Sequence, residues 1–97
     1  MQKERVLKII KQEKPFLEKK YHISDIGLFG SVSRGEEKEE SDVDVLVDFG
    51  ENTPSLFGLI KLKHYLEDKF DRKVDLVHKP MLKKTIRDQV LDEVIMV

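Results

Sequence analysis

The sequence has 97 residues, of which 39% are hydrophobic and 38% are charged, and its net charge is −1. This length predicts one small domain over residues 1–97, and the composition is that of a folded protein rather than a disordered one. The balanced charge does not favour nucleic acid as a partner, because proteins that grip phosphate backbones usually carry a basic excess. The absence of cysteine excludes disulfides, thiolate zinc sites and a cysteine nucleophile. No long apolar run indicates a signal peptide or membrane span, so we expect a cytoplasmic protein.

The first third of the chain predicts a helix, a strand and a second, short helix. Residues 2–21 carry apolar side chains at helical spacing, and Pro15 is expected to kink this helix or to begin another one. The short apolar run Asp25–Phe29 predicts a strand, and the small residues at 31–35 suit a turn into a short helix. The charged run at 36–40 is interpreted as a solvated loop or helix end. The predicted inner face of the first helix comprises Val6, Ile10, Leu17 and Tyr21, with Ile9 and Phe16 beside them.

The rest of the chain predicts two more strands and two more helices. Residues 42–49 (DVDVLVDF) alternate with the period of a strand, and residues 73–78 (KVDLVH) predict another. Between them, Thr53 is expected to cap a helix that begins at Pro54 and ends near Phe70, and residues 81–95 predict a last helix. The predicted inner faces comprise Leu56, Leu59, Ile60, Leu66 and Phe70 in the former, and Leu82, Ile86, Val90 and Val94 in the latter. This order predicts an α/β (α+β) fold, a small mixed β-sheet flanked by helices.

Acidic residues in two predicted strands indicate a metal site. Asp42 and Asp44 are two apart, so they should project from one face with Cα atoms about 6.5–7 Å apart. Asp75 lies in the middle of the next strand along the chain and could complete a cluster. Three close carboxylates repel one another, and hard cations such as Mg²⁺ would neutralise them. The alternative is a half-exposed strand whose wet face happens to carry Asp, which is the interpretation we apply to Asp48.

A possible anion site lies where the first strand meets the short helix. Gly30 would let the backbone approach a phosphate closely, and Ser31 would add a hydroxyl donor. Taken alone, such a pair is more often an ordinary turn, and Arg34 taken alone is more often an ordinary surface charge.

The combined pattern is more specific than its parts. Residues 30–35 read GSVSRG, five residues follow, and residues 41–44 read SDVD. This pattern resembles the signature of the polymerase-beta-like nucleotidyltransferase superfamily and is most similar to the minimal nucleotidyltransferases (MNT) of prokaryotic MNT/HEPN toxin–antitoxin pairs. The resemblance covers nearly the whole chain, with Ser33 standing where the family often has Ala.

The resemblance implies a role for each motif residue. Asp42 and Asp44 would ligate two Mg²⁺ ions, and Asp75 would hold the catalytic ion and help to activate the attacking hydroxyl. Gly30 and Ser31 would bind the β- and γ-phosphates of ATP. The positions implied to bind nucleotide are Gly30, Ser31, Arg34 and Ser41.

The function implied by the resemblance is transfer of AMP from ATP to a hydroxyl of a partner protein. That acceptor would be a tyrosine of a HEPN ribonuclease toxin, which the modification silences, so the protein would act as an antitoxin. One alternative is a non-catalytic antitoxin that masks the toxin by binding. Another is a nucleotidyltransferase that modifies a small molecule or a nucleic acid.

Overall fold

The computed structural model describes residues 2–36, 38 and 41–97, and most of the predicted loop at 36–40 therefore lies outside the described residues. The elements are, in chain order, α1 (Gln2–Tyr21), β1 (Asp25–Phe29), α2 (Gly30–Arg34), β2 (Val43–Asp48), α3 (Leu56–Phe70), β3 (Val74–His78), a 3₁₀ turn (Lys79–Met81), α4 (Lys84–Glu93) and β4 (Ile95–Met96). None of the helices in these ranges combines the length and apolarity needed to cross a membrane.

The strands form one mixed sheet in the order β3-β2-β1-β4. β2 pairs antiparallel with β1 and parallel with β3, and β4 pairs antiparallel with the other side of β1. The parallel pairing needs a crossover, which α3 supplies. The predicted fold class, a small mixed sheet with helices packed on it, is confirmed.

The two faces of β2 point into different apolar clusters. Val43, Val45 and Val47 are fully buried in the larger cluster, against α1 and α3. Leu46 projects from the opposite face into a smaller cluster with Leu82 and Val90 of the C-terminal region. Since side chains two apart share a face, Asp44 lies on the face of the smaller cluster, at the end where β2 begins.

The first helix has the predicted bounds and stays one helix through Pro15. Proline lacks the amide hydrogen that would pair with the carbonyl of Lys11, but both residues are exposed, so water can take the place of that hydrogen bond. The predicted inner face is correct except for Phe16, whose residue surface is 45% exposed.

The start of α3 differs from the prediction. Ser55, not Thr53, is the N-cap, and its hydroxyl accepts a hydrogen bond from the Gly58 amide at 3.3 Å. The fully buried residues of this helix are Leu62, Leu66 and Phe70. Ile60 is exposed because it lies two residues, about 200° around the helix, from Leu62. Leu56, 73% exposed in the first turn, was also wrongly placed on the inner face.

The C-terminal region is more divided than the predicted single helix at 81–95. A 3₁₀ turn precedes α4, and the chain then leaves the helix to add β4 beside β1. Leu82 and Val90 are buried as predicted, whereas Ile86 is 46% exposed. The prediction failed here because four-residue spacing does not reveal where a short strand can pair with a free sheet edge.

Candidate active site

The parallel register of β2 and β3 places Asp44 directly opposite Asp75. Asp42 lies immediately before β2, two residues from Asp44, and the structure begins the strand one residue later than predicted. Asp44 is half-buried, while Asp42 and Asp75 are exposed. The structure therefore brings the three predicted carboxylates to one end of two neighbouring strands, with Asp44 as the most embedded.

Asp44 is the electrostatic centre of this group. The pKa of Asp44 is raised from its ordinary value of 3.8 to about 6, first by burial and then by the negative charges of Asp75 and Asp42. The guanidinium of Arg34 lowers the pKa, and the carboxylate of Glu93 raises it, by smaller amounts. Ionisation of the Asp44 carboxyl is unfavourable because the group is half-buried and the carboxylates of Asp75, Asp42 and Glu93 act on it. A bound cation would relieve this repulsion.

The carboxylates suit magnesium chemically, although they are not already closed around an ion. Within residues 2–36, 38 and 41–97, no three acidic, histidine or cysteine side chains converge as a ready-made ligand set. Mg²⁺ is typically held by one or two carboxylates together with water and substrate phosphates. Asp44, Asp75 and Asp42 supply hard oxygen donors of that kind, so the donor set fits an ion that shares its ligands with a nucleotide.

Gly30 joins the first strand to the site through a contact that only glycine permits. Its φ is +78°, and a Cβ atom there would lie 2.0 Å from Oδ2 of Asp44. Any other residue would be both strained and in collision with the carboxylate. The backbone of Gly30 thus lies in contact with the Asp44 side chain. Ser33, buried behind it, donates a hydrogen bond from Oγ to the Gly30 carbonyl at 2.8 Å and fixes the turn.

Arg34 and Glu93 connect this segment to the C-terminal helix. Glu93 Oε1 accepts a hydrogen bond from the Gly30 amide at 3.1 Å, and Glu93 Oε2 pairs with Nη1 of Arg34 at 3.0 Å. Arg34 also pairs with Glu36 at 2.9 Å, and these two carboxylates raise the pKa of the guanidinium.

Sequence reasoning missed Glu93. Its partners lie 63 and 59 residues earlier in the chain, so no local pattern connects them. One signal was available: Asp92 and Glu93 place negative charge in the last turn of α4, the end of a helix that disfavours anions. An acid in that position needs a partner elsewhere.

The hydrogen bonds of Ser41 are to Lys38 and Arg72. Its hydroxyl accepts a hydrogen bond from the Lys38 amide at 2.8 Å, and its carbonyl accepts one from Arg72 at 2.6 Å. These contacts join Ser41 to Lys38 and tie the start of β2 to the segment before β3. A nucleotide contact by Ser41 stays a prediction.

Asp48 differs from the clustered carboxylates in what surrounds it. Its Oδ1 accepts a hydrogen bond from the Gly50 amide at 3.2 Å, which stabilises the turn after β2. It pairs across the sheet with Asp25 rather than with a residue of β3. Asp48 therefore serves the turn, and it offers a matched control for substitutions in the site.

Comparison with known proteins places the chain in a family. A nucleotidyltransferase domain model matches residues 3–97. A protein adenylyltransferase, MntA, of Thermococcus cleftensis is 47% identical over 94 residues, covering 97% of this chain and 94% of the relative. A solved structure described as a minimal nucleotidyltransferase is 36% identical with a TM-score of 0.77, covering 92% of this chain and 90% of the other.

A further solved structure similar to this chain is that of a tri-AMPylated Shewanella oneidensis HEPN toxin in complex with its MNT antitoxin. The match is 26% identical with a TM-score of 0.67, and it covers 99% of this chain and 71% of the other. The family resemblance inferred from the GSVSRG and SDVD segments is confirmed, and the chain belongs to the nucleotidyltransferase domain family, as a minimal nucleotidyltransferase.

Proposed function

We propose that this protein is a magnesium-dependent protein adenylyltransferase that transfers AMP from ATP to a tyrosine hydroxyl of a HEPN-type toxin, with release of pyrophosphate, and so acts as its antitoxin. The observation that carries the proposal is the direct pairing of Asp44 with Asp75, beside a glycine whose backbone touches Asp44. A nucleotide-binding turn and a carboxylate cluster in contact are what phosphoryl-type transfer requires, since that chemistry depends on positioning and charge neutralisation.

Each residue of the site has a distinct task in this proposal. Asp42 and Asp44 would hold the two magnesium ions, and Asp75 would hold the catalytic ion and help to activate the attacking hydroxyl. Gly30 and Ser31 hold the β- and γ-phosphates. The ions, when bound, neutralise charge on the triphosphate and lower the pKa of the attacking hydroxyl.

The chain's own contribution is orientation. The fixed register of β2 and β3 sets the spacing between Asp44 and Asp75, and therefore the spacing between nucleotide and acceptor. Asp75 is exposed and lies on the edge strand of the sheet, so a hydroxyl carried by another protein can reach it from outside. This placement suits a protein acceptor better than a small molecule, for which an enclosed pocket is usual.

The test is transfer of AMP to a co-purified HEPN-type partner, followed by mass spectrometry of the intact partner. Wild type should add one or more AMP units in the presence of ATP and Mg²⁺. Asp42→Asn and Asp44→Asn should lower the transfer rate by orders of magnitude, because each removes a negative ligand while keeping its shape. Asp48→Asn should retain activity, since Asn can still accept the Gly50 hydrogen bond.

A second comparison separates catalysis from masking. Both mechanisms predict a complex with the toxin, so binding alone cannot distinguish them. Cells expressing the toxin should be rescued by wild type and not by the Asp42→Asn/Asp44→Asn double variant, provided that the variant folds and binds. Full rescue by the double variant at equal expression would refute the enzymatic proposal and leave a stoichiometric antitoxin. AMP found on a small molecule or on nucleic acid, with none on the toxin, would refute the proposed acceptor.

A further inference from the structure

We propose that Glu93 competes with nucleotide inside the site. Its carboxylate accepts hydrogen bonds from the Gly30 amide and from Arg34 until ATP displaces it. The inference rests on the function proposed above, in which Gly30 and Ser31 bind phosphates. It concerns a residue outside the GSVSRG and SDVD segments, on the last turn of α4.

The carboxylate of Glu93 is bound through both of its oxygens, as a bound anion would be. One carboxylate oxygen accepts from a backbone amide and the other from a guanidinium, at 3.1 and 3.0 Å. Backbone amides at a glycine turn and arginine side chains are the donors that proteins use for phosphate. In the present structure, Gly30 and Arg34 therefore direct these donors to a side chain of their own chain.

Two anions cannot use the same donors at once. A triphosphate that accepts from the Gly30 amide must replace Glu93, and Nη1 of Arg34 then becomes available to the phosphates while Nε keeps its pair with Glu36. Retaining Glu93 would also place another negative charge beside the nucleotide, in a region where its charge already acts on Asp44. The side chain of Glu93 is 20% exposed, so it has a path to solvent when it is displaced.

The size of the effect follows from how often Glu93 is in place. Apparent affinity falls in proportion to the fraction of molecules in the binding-competent state. If Glu93 holds the segment in about nine of ten molecules, nucleotide binds about tenfold more weakly than it would to a chain without the carboxylate.

The test is calorimetric titration of wild type, Glu93→Ala and Glu93→Gln with Mg²⁺ and a non-hydrolysable ATP analogue. We expect Glu93→Ala to lower the Kd about tenfold. Glu93→Gln should lower it by a smaller factor, because a neutral amide accepts from Gly30 but pairs poorly with Arg34. Asp92→Asn is the control: it makes the same charge change on the neighbouring exposed residue and should leave the Kd within about twofold, because screened surface charges at a distance interact weakly.

A second readout protects the test from misfolding of the variants. The Gly30 amide, followed by ¹H–¹⁵N NMR, should lose its hydrogen-bonded shift in nucleotide-free Glu93→Ala while the rest of the spectrum stays that of wild type. Equal or weaker nucleotide binding by Glu93→Ala with a native spectrum would overturn the inference and make Glu93 a simple tie between α4 and the turn. Failure of wild type to bind the analogue at all would instead overturn the proposed function, and this inference with it.

Discussion

Replacing Asp44 with Asn should stabilise the metal-free protein at neutral pH. The pKa of Asp44 is about 6 in the folded protein and about 3.9 in an unfolded chain. At about 1.36 kcal/mol per pKa unit this difference corresponds to about 3 kcal/mol. Because Asp44 is only half-buried, solvent screening reduces the gain, and we expect about 1–2 kcal/mol. For a chain of this length that is a rise in Tm of about 5–15 °C.

The pH dependence of this gain distinguishes its cause from a change in packing. The folded state holds the Asp44 proton more tightly than the unfolded state, so wild type loses stability as the pH rises from about 4 to about 6 and loses no more above that. Asn has no proton to lose. The advantage of Asp44→Asn should therefore be full at pH 8 and mostly gone at pH 4.5, where Asp44 is already protonated in the folded protein.

Urea unfolding in EDTA at both pH values measures the difference, with Asp48→Asn as the control. Asp48 lies outside the cluster and accepts a hydrogen bond from the Gly50 amide, so its substitution should leave stability unchanged or slightly lower at both pH values. An Asp44→Asn variant that is less stable than wild type at pH 8, or equally favoured at both pH values, would refute the self-repulsion argument.

Three further outcomes test the local structure. Gly30→Ala should lower the free energy of unfolding by more than about 2 kcal/mol, because it adds a collision with Asp44 to the strain of a positive φ. Gly35→Ala, also at positive φ but with open space around it, should lower it by only about 1–2 kcal/mol. Equal losses in urea unfolding would show that the contact with Asp44 does not matter for stability. Ser55→Ala should lower the free energy of unfolding by about 0.5–2 kcal/mol, and Thr53→Ala by less. A larger loss for Thr53→Ala would show that Thr53, not Ser55, caps the helix. Calorimetry should find Mg²⁺ binding weak alone and tighter with a non-hydrolysable ATP analogue, since phosphates supply missing ligands; equal affinities would contradict a shared site.

The three carboxylates were predictable because their positions depend on strand parity. Alternation in residues 42–49 fixes which side chains share a face, and a second apolar run around Asp75 supplies the neighbouring strand. Which strands pair, and in which register, is not contained in the alternation. The antiparallel β1–β2 pair and the parallel β2–β3 pair follow from how the helices cover the sheet, and only then does Asp44 meet Asp75.

What sequence reasoning missed depends on tertiary contacts. β4 is two residues long and exists because the edge of β1 is free beside it, a condition that residues 94–97 do not reveal. Glu93 reads as one more charge on an amphipathic helix until the fold brings it to Gly30. Leu56 and Ile60 fit a helical stripe by spacing. The residues of α3 that are buried in the larger cluster, however, are Leu62, Leu66 and Phe70.

The crossover through α3 sets two contacts of the site at different separations along the chain. The antiparallel β1–β2 pair brings Gly30 to Asp44, whereas Asp75 reaches Asp44 through the parallel β2–β3 pair, which needs the α3 crossover. Contacts of longer sequence separation form at a greater entropic cost. The contact between Gly30 and Asp44 is thus the more local of the two, and the position of Asp75 depends on how α3 packs. Substitutions at the buried residues of α3 should therefore shift Asp75 relative to Asp44 more than they shift Gly30 relative to Asp44.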